Sequence, residues 1–294
     1  MIQPQKNVPI APYTSYKIGG VAREVYFPSN GKELHEVLKT LAAAGTPYYL
    51  LGGGSNVLVG DGFWDGAAII TTGMNRYEPL DDHIVCGAGL ASSRIAEIAF
   101  EQSKTGLEFL YLLPGSIGGA LAMNARYDMT SVSDVLVSFT AVHPEKGLKT
   151  FGKGEVDFAY KHTGIISGGW FICEVVLSWR DSDPADIRRR MDAIGNKRAT
   201  DHHFDYPSCG CIFKNDHARN IQAGKLLDEQ GFKGYTIGGA QVAHFHANFI
   251  INTGNATARD VLSVIEHIER EVELQTGIRL EREVRLVGTF ENRE

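Results

Sequence analysis

The densest chemistry in the chain lies in one short run, Pro207-Ser208-Cys209-Gly210-Cys211-Ile212-Phe213-Lys214-Asn215. Two thiols, two small residues, a cation and an amide make a poor helix and a good tight turn that presents a polar side chain. A weakly acidic group on such a turn can deliver a proton to a substrate. A thiol of pKa ~8.5 is protonated at neutral pH, yet it gives up its proton far more readily than a hydroxyl. On the residues alone, three readings of Cys211 are open: a proton donor, a buried structural thiol, or half of a metal clip with Cys209. The clip needs two more ligands, and no Cys or His pair at zinc spacing supplies them. His202 and His203 are adjacent and are expected to be solvated. One intervening residue is too little for an unstrained disulfide.

Two glycine loops offer a second kind of chemistry. Gly52-Gly53-Gly54-Ser55-Asn56 and Pro114-Gly115-Ser116-Ile117-Gly118-Gly119 can each turn backbone amides toward a phosphate. Neither is a Walker loop, and neither gives the G-x-G-x-x-G pattern of a dinucleotide-binding strand–loop–helix unit. Each alone is equally well a bare turn. Both in one chain, behind Tyr13-Thr14-Ser15-Tyr16-Lys17-Ile18-Gly19-Gly20, fit a ligand with a pyrophosphate.

The elements that must position these loops alternate between strands and helices. Leu34, Val37, Leu38 and Leu41 predict a helix over 31–45 that stops at Gly45. Further helices are predicted over 92–103, 184–198, Ala223–Gln230 and Thr257–Thr276. Strands are predicted over 48–51, 57–59, 67–72, 84–89, 135–143, 169–179, His246–Asn252 and Glu283–Gly288. The stretch between 143 and 169 reads as turn-rich. The polar bridge from Arg198 to Tyr206 is the expected domain boundary.

Composition sets the class. The 294 residues are 43% hydrophobic and 22% charged, with net charge −6 and no basic block, which suits a soluble globular protein without a nucleic-acid partner. Met1 to Pro12 lacks an apolar signal region, and no apolar run approaches the ~20 residues of a membrane span. Cys86 and Cys173 sit in apolar strand-like runs and read as buried free thiols. The expected location is a reducing cytoplasm.

Read in order, the motifs resemble the UDP-N-acetylenolpyruvoylglucosamine reductase family from about residue 13 to 288. They are Thr14-Ser15-Tyr16-Lys17-Ile18-Gly19-Gly20, the two glycine loops, Met123-Asn124-Ala125, Ala223-Gly224-Lys225-Leu226, Ile237-Gly238-Gly239-Ala240, His246-Ala247-Asn248-Phe249, Asn255-Ala256-Thr257-Ala258 and Glu283-Val284-Arg285-Leu286-Val287-Gly288. The resemblance implies an α+β fold. Its parts are a two-part FAD-binding domain of the vanillyl-alcohol-oxidase type, residues 1–75 and 76–200, and a C-terminal α+β substrate-binding domain, residues 201–294. The inserted tyrosine-bearing loop of some members is absent.

The resemblance also implies a reaction. NADPH reduces non-covalently bound FAD and leaves. UDP-N-acetylglucosamine enolpyruvate then takes a hydride from flavin N5 at C3 and a proton at C2, giving UDP-N-acetylmuramate for peptidoglycan. Charge building at C2 and on the carboxylate needs a cation and a polar group. Cys211 falls at the family's proton donor and Glu283 at its enol-stabilising glutamate. Glu281 would share a strand face with Glu283, so that choice rests on the motif. Lys161, in Tyr160-Lys161-His162-Thr163, stands where the family has a carboxylate-binding arginine; it keeps the charge without the bidentate fork.

FAD contacts are implied at Tyr16, Ile18, Gly19, Gly52, Gly53, Gly54, Ser55, Asn56, Pro114, Gly115, Ser116, Gly118, Gly119 and Asn124. Arg126, in a segment that departs from the family pattern, is a further cofactor candidate. Tyr160, Lys214 and Asn215 are implied substrate contacts. Two rivals are an FAD-dependent oxidase of the same fold and a catalytically silent flavin- or nucleotide-sugar-binding protein. The C-terminal motifs oppose the first; Cys211 and Glu283 oppose the second.

Overall fold

A computed structural model describes residues 2–290. The chain forms two compact units. The first holds residues up to Lys6, Glu24–Gly53 and Gly66–Arg198. The second holds Asn7–Arg23, Gly54–Asp65 and the residues from Ala199 onward.

The first unit is layered around a five-stranded antiparallel sheet. Its order is Gly147–Gly152, Leu136–His143, Phe171–Ser178, His83–Gly87, Tyr77–Pro79. Ile95, Leu121, Phe139, Val175, Leu177 and Met191 share one core with it, so the helices Ser92–Glu101, Ile117–Ala122 and Pro184–Thr200 bury their apolar stripes there. A second core takes the Gly31–Ala43 helix. Its Leu34, Val37, Leu38 and Leu41 pack with Tyr26, Ala67, Ile69, Val142 and Cys173. Asn30 starts that helix by accepting from the Lys32 and Glu33 amides, both at 3.0 Å. Tyr48–Leu51 runs parallel to Ala67–Ile70 and delivers the chain to the first glycine loop.

In the second unit the Ala258–Thr276 helix carries Val261, Ile265, Ile268 and Val272 into a core with Tyr16, Leu58, Phe213 and Leu227. A capping box between Thr257 and Asp260 opens this helix and Gly277, at φ +69°, closes it. The strands Thr236–Ile237, Ala240–Val242 and Ile250–Asn252 form an antiparallel sheet in that order. Val57–Val59 pairs in parallel with Arg285–Val287.

Three expectations change. The strand expected over His246–Asn252 is only Ile250–Asn252, because Phe249 N–H turns back to the His246 carbonyl at 3.0 Å. The final strand is Arg285–Val287. The turn-rich stretch after 143 contains a whole strand, Gly147–Gly152, hairpin-paired with Leu136–His143. No helix among the described residues is long and apolar enough to cross a membrane.

Candidate active site

In the first unit the two glycine loops meet. A Cβ on Gly52 would lie 2.3 Å from Ser116 Oγ, and one on Gly53 would lie 2.5 Å from the Gly115 Cα. A Cβ on Gly118 would strike that of Ala88 at 2.6 Å. Only glycine allows this approach. Ser116 is 3% exposed, and its buried hydroxyl has no hydrogen-bond partner among the described residues. A buried donor left over beside bare backbone is what an anionic oxygen would satisfy, so these residues fit the diphosphate of FAD.

The same unit ties this cradle to the predicted cation. Asn124, at φ +41°, accepts from Ser133 N–H at 3.1 Å and donates to the Ala159 carbonyl at 3.3 Å. Thr163 donates to the Leu121 carbonyl at 2.6 Å. Both bonds dock the hairpin of Phe158–Ala159 and His162–Thr163, whose turn is Tyr160-Lys161. Lys161 stands at φ +55° with Nζ 5.8 Å from the Tyr160 ring centre. Arg126 is exposed and folds back on its own turn, donating to the Asp128 carbonyl at 2.7 Å.

The second unit holds the thiol turn. Ser15 Oγ approaches the Gly54 carbonyl at 3.2 Å and the Ser208 carbonyl at 2.6 Å, joining the first glycine loop to the thiol turn. Gly54 is at φ +63°, and a Cβ there would meet the Tyr13 carbonyl at 2.1 Å. Tyr16 and Ile18 are buried. The Tyr16 hydroxyl donates to the Ile250 carbonyl at 2.8 Å, so its ring serves the fold. A Cβ on Gly19 would lie 3.1 Å from Ala11 N and 3.2 Å from the Val59 Cβ.

Cys209 and Cys211 part company at Gly210, φ +78°. Cys209 faces the main core of the unit, while Cys211 is half-buried against Ala243, Phe249 and Ile251. Burial pushes the Cys209 thiol up to about 12; a hydrogen bond with Tyr16 opposes this, and the nearby Glu283 charge reinforces it. Cys209 is thus a neutral packing thiol at ordinary pH. Glu283 N–H donates to the Ile212 carbonyl at 2.7 Å, which sets the glutamate beside the residue that follows Cys211. Asn56 Nδ2 donates to the Glu283 carbonyl at 3.1 Å, and the Asn56 carbonyl accepts from Arg285 N–H at 3.1 Å. The Asn56 side chain is therefore turned to the backbone of Glu283.

The neighbours of Glu283 are paired off. Lys214 Nζ bonds Glu281 at 2.6 Å, and Arg282 holds Glu269 through two bonds of 2.5 Å. Asn215 Oδ1 accepts from Ala223 N–H at 3.0 Å at the start of the Ala223–Glu229 helix. The expectation of a solvated histidine pair holds for His202 alone. His203 is half-buried, with its ring 5.3 Å from that of Phe249. The His246 ring also lies beside Phe249, at 4.9 Å, and burial lowers its pKa, with the His203 charge adding to the shift. Sequence reasoning assigned no role to Asn248, whose side-chain amide bonds both the N–H and the carbonyl of Phe213.

Comparison with known proteins agrees with both halves of this description. Residues 22–150 match the FAD binding domain model, and residues 202–287 match the C-terminal domain of UDP-N-acetylenolpyruvoylglucosamine reductase. The reductase of Pediococcus pentosaceus is 36% identical over 98% of this chain and 95% of its own. That of Borreliella burgdorferi is 39% identical over 98% and 95%. The solved reductase of Thermus caldophilus superposes with a TM-score of 0.81 at 29% identity, covering 97% of this chain and 99% of that one. With relatives this similar over nearly its whole length, the chain belongs to the UDP-N-acetylenolpyruvoylglucosamine reductase family.

Proposed function

We propose that this protein reduces UDP-N-acetylglucosamine enolpyruvate to UDP-N-acetylmuramate, with NADPH as the source of reducing equivalents. The observation that carries the reading is the junction of Cys211 and Glu283, bonded through Ile212 and Glu283 at 2.7 Å, in a chain of this family. We assign residues 1–75 and 76–200 to two-part cofactor binding and 201–294 to the substrate; the C-terminal match over 202–287 supports the boundary near 200, with Asn7–Arg23 and Gly54–Asp65 packed in the same unit as the C-terminal residues. The four free thiols support a cytoplasmic location.

The residues divide the work. The Ser116 hydroxyl and the bare backbone of Gly52, Gly53 and Gly115 hold the FAD diphosphate. Bound FAD supplies the hydride that C3 of the enolpyruvyl group receives. Lys161 offers a point charge to the substrate carboxylate. Glu283 stabilises the enol, and the Cys211 thiol holds the proton that C2 takes up. Tyr160, Lys214 and Asn215 contact the nucleotide sugar.

Anaerobic flavin spectroscopy tests the whole reading. NADPH bleaches the FAD-loaded protein, and the enolpyruvyl nucleotide sugar restores the colour. Recovery only on admitting air identifies an oxidase, and no bleaching by NADPH removes the reductase reading.

A further inference from the structure

We propose that Asn248 is a positioning residue for the proton donor, acting through Cys211; this rests on the reading of Cys211 given above. The strip Cys211–Phe213 belongs to no named strand. It meets its neighbours through isolated bridges, Cys211 with Phe249 and Phe213 with Arg282. A strip paired so sparsely has little of its own to fix a side-chain direction. Asn248 supplies the missing ladder. Its Oδ1 accepts from Phe213 N–H at 2.9 Å and its Nδ2 donates to the Phe213 carbonyl at 2.8 Å. Its own carbonyl accepts from Ile212 N–H at 2.9 Å. A single residue therefore does what an adjacent strand would do, using both ends of its amide.

The placement makes this more than packing. Asn248 is 2% exposed, so its amide has no water to fall back on. Glu283 is bonded to the same strip: its N–H reaches the Ile212 carbonyl at 2.7 Å. Ile212 is thus bonded to Asn248 through its N–H and to Glu283 through its carbonyl, and Cys211 precedes it. Fixing Ile212 and Phe213 fixes the course of the backbone that leaves Cys211. Asn248 is itself oriented, because its N–H donates to His246 Nδ1 at 3.1 Å. A proton donor needs this geometric control, since a small displacement from the reacting carbon is costly.

The test separates the two half-reactions. FAD-loaded Asn248→Ala is reduced anaerobically with NADPH, then mixed with the enolpyruvyl nucleotide sugar. Bleaching is expected within about twofold of the parent, and substrate-driven reoxidation is expected to slow about tenfold or more. In a Cys211→Ala background the same change is expected to add less than about twofold, because the group it positions is gone. Equal slowing of both half-reactions, or full additivity with Cys211→Ala, overturns the proposal. Asn248→Asp keeps the acceptor for Phe213 N–H and loses the donor to its carbonyl; with Asn248→Ser it gives the same reading if the alanine variant does not fold. A Cys211→Ala enzyme as fast as the parent sinks the donor reading itself. A slow Cys211→Ala enzyme beside a fast Asn248→Ala enzyme sinks only the positioning role.

Discussion

Gly53 and Gly115 touch through their backbones: a methyl group on Gly53 would sit 2.5 Å from the Gly115 Cα and 3.0 Å from Ser116 N. The two loops are far apart in sequence, and each is an unremarkable turn on its own. Their contact places the orphaned Ser116 hydroxyl at the seam. The cradle is therefore made by close approach, and side-chain volume is its enemy.

Gly53→Ala is the direct check of that relationship. The added methyl presses on backbone, which cannot rotate away, so a loss of about 1–3 kcal/mol in stability is expected. FAD affinity should fall about tenfold or more, as the seam opens by the equivalent of about 1.4 kcal/mol. Gly154→Ala is the control: nothing lies within 4 Å of its added Cβ. Calorimetry and fluorescence titration with FAD read the two changes, and equal behaviour of the two variants would defeat the account.

The buried thiols give a pH dependence with a definite sign. Burial pushes Cys86, Cys173 and Cys209 each up to about 12, while an unfolded thiol ionises near ~8.5. Between those values the unfolded chain releases protons that the folded chain keeps, so stability falls as pH rises. It is fully present below about 8.5 and lost progressively toward about 12. Thermal unfolding followed from pH 8 to 10.5 should show a declining Tm. Cys86→Ala should lower Tm throughout and flatten that decline; an unchanged slope would count against burial as the cause.

How far this architecture could be read from the sequence depended on the range of the signal. The Gly31–Ala43 helix announced itself through Leu34, Val37, Leu38 and Leu41, all buried as the period requires. The Gly147–Gly152 strand did not, because as an edge strand it exposes Leu148, Lys149 and Thr150 and shows no alternation. Asn248 lies in the motif His246-Ala247-Asn248-Phe249, within a run that reads as a strand, and nothing local assigns its side chain a task. Its value lies in bonds to Phe213, 35 residues away. The grouping of Gly54–Asp65 with the C-terminal segment rests on similar long-range bonds, such as Gly60 N–H to the Val287 carbonyl at 2.9 Å. Local periodicity carries no trace of such pairings. The roles proposed for Cys211 and Glu283 come from the order of the family motifs along the chain, where local propensity is silent.

Thiol labelling distinguishes the two cysteines of the turn. Cys211 is half-buried and the other three are buried. An alkylating reagent at neutral pH should modify one thiol in the native protein and all four after denaturation. Peptide mapping should place the native label on Cys211. Labelled enzyme should still be bleached by NADPH and should fail to reoxidise with the enolpyruvyl nucleotide sugar. Native labelling first at Cys209 would show that the burial described for it does not hold in solution.

Lys161 allows charge and backbone to be separated. It occupies the second position of a two-residue hairpin turn at φ +55°, where glycine or asparagine is favoured. An L side chain there costs about 1 kcal/mol. Lys161→Gly should relieve that cost and raise Tm, while removing the cation and raising KM for the enolpyruvyl nucleotide sugar. Lys161→Arg keeps the backbone cost, so Tm should hold, and restores a bidentate fork, so KM should fall several-fold. Steady-state kinetics and calorimetry on the two variants read the pair of signs. A Lys161→Gly enzyme with parent-like KM would show that the lysine charge plays no part in holding the substrate, and that the residue is only a turn.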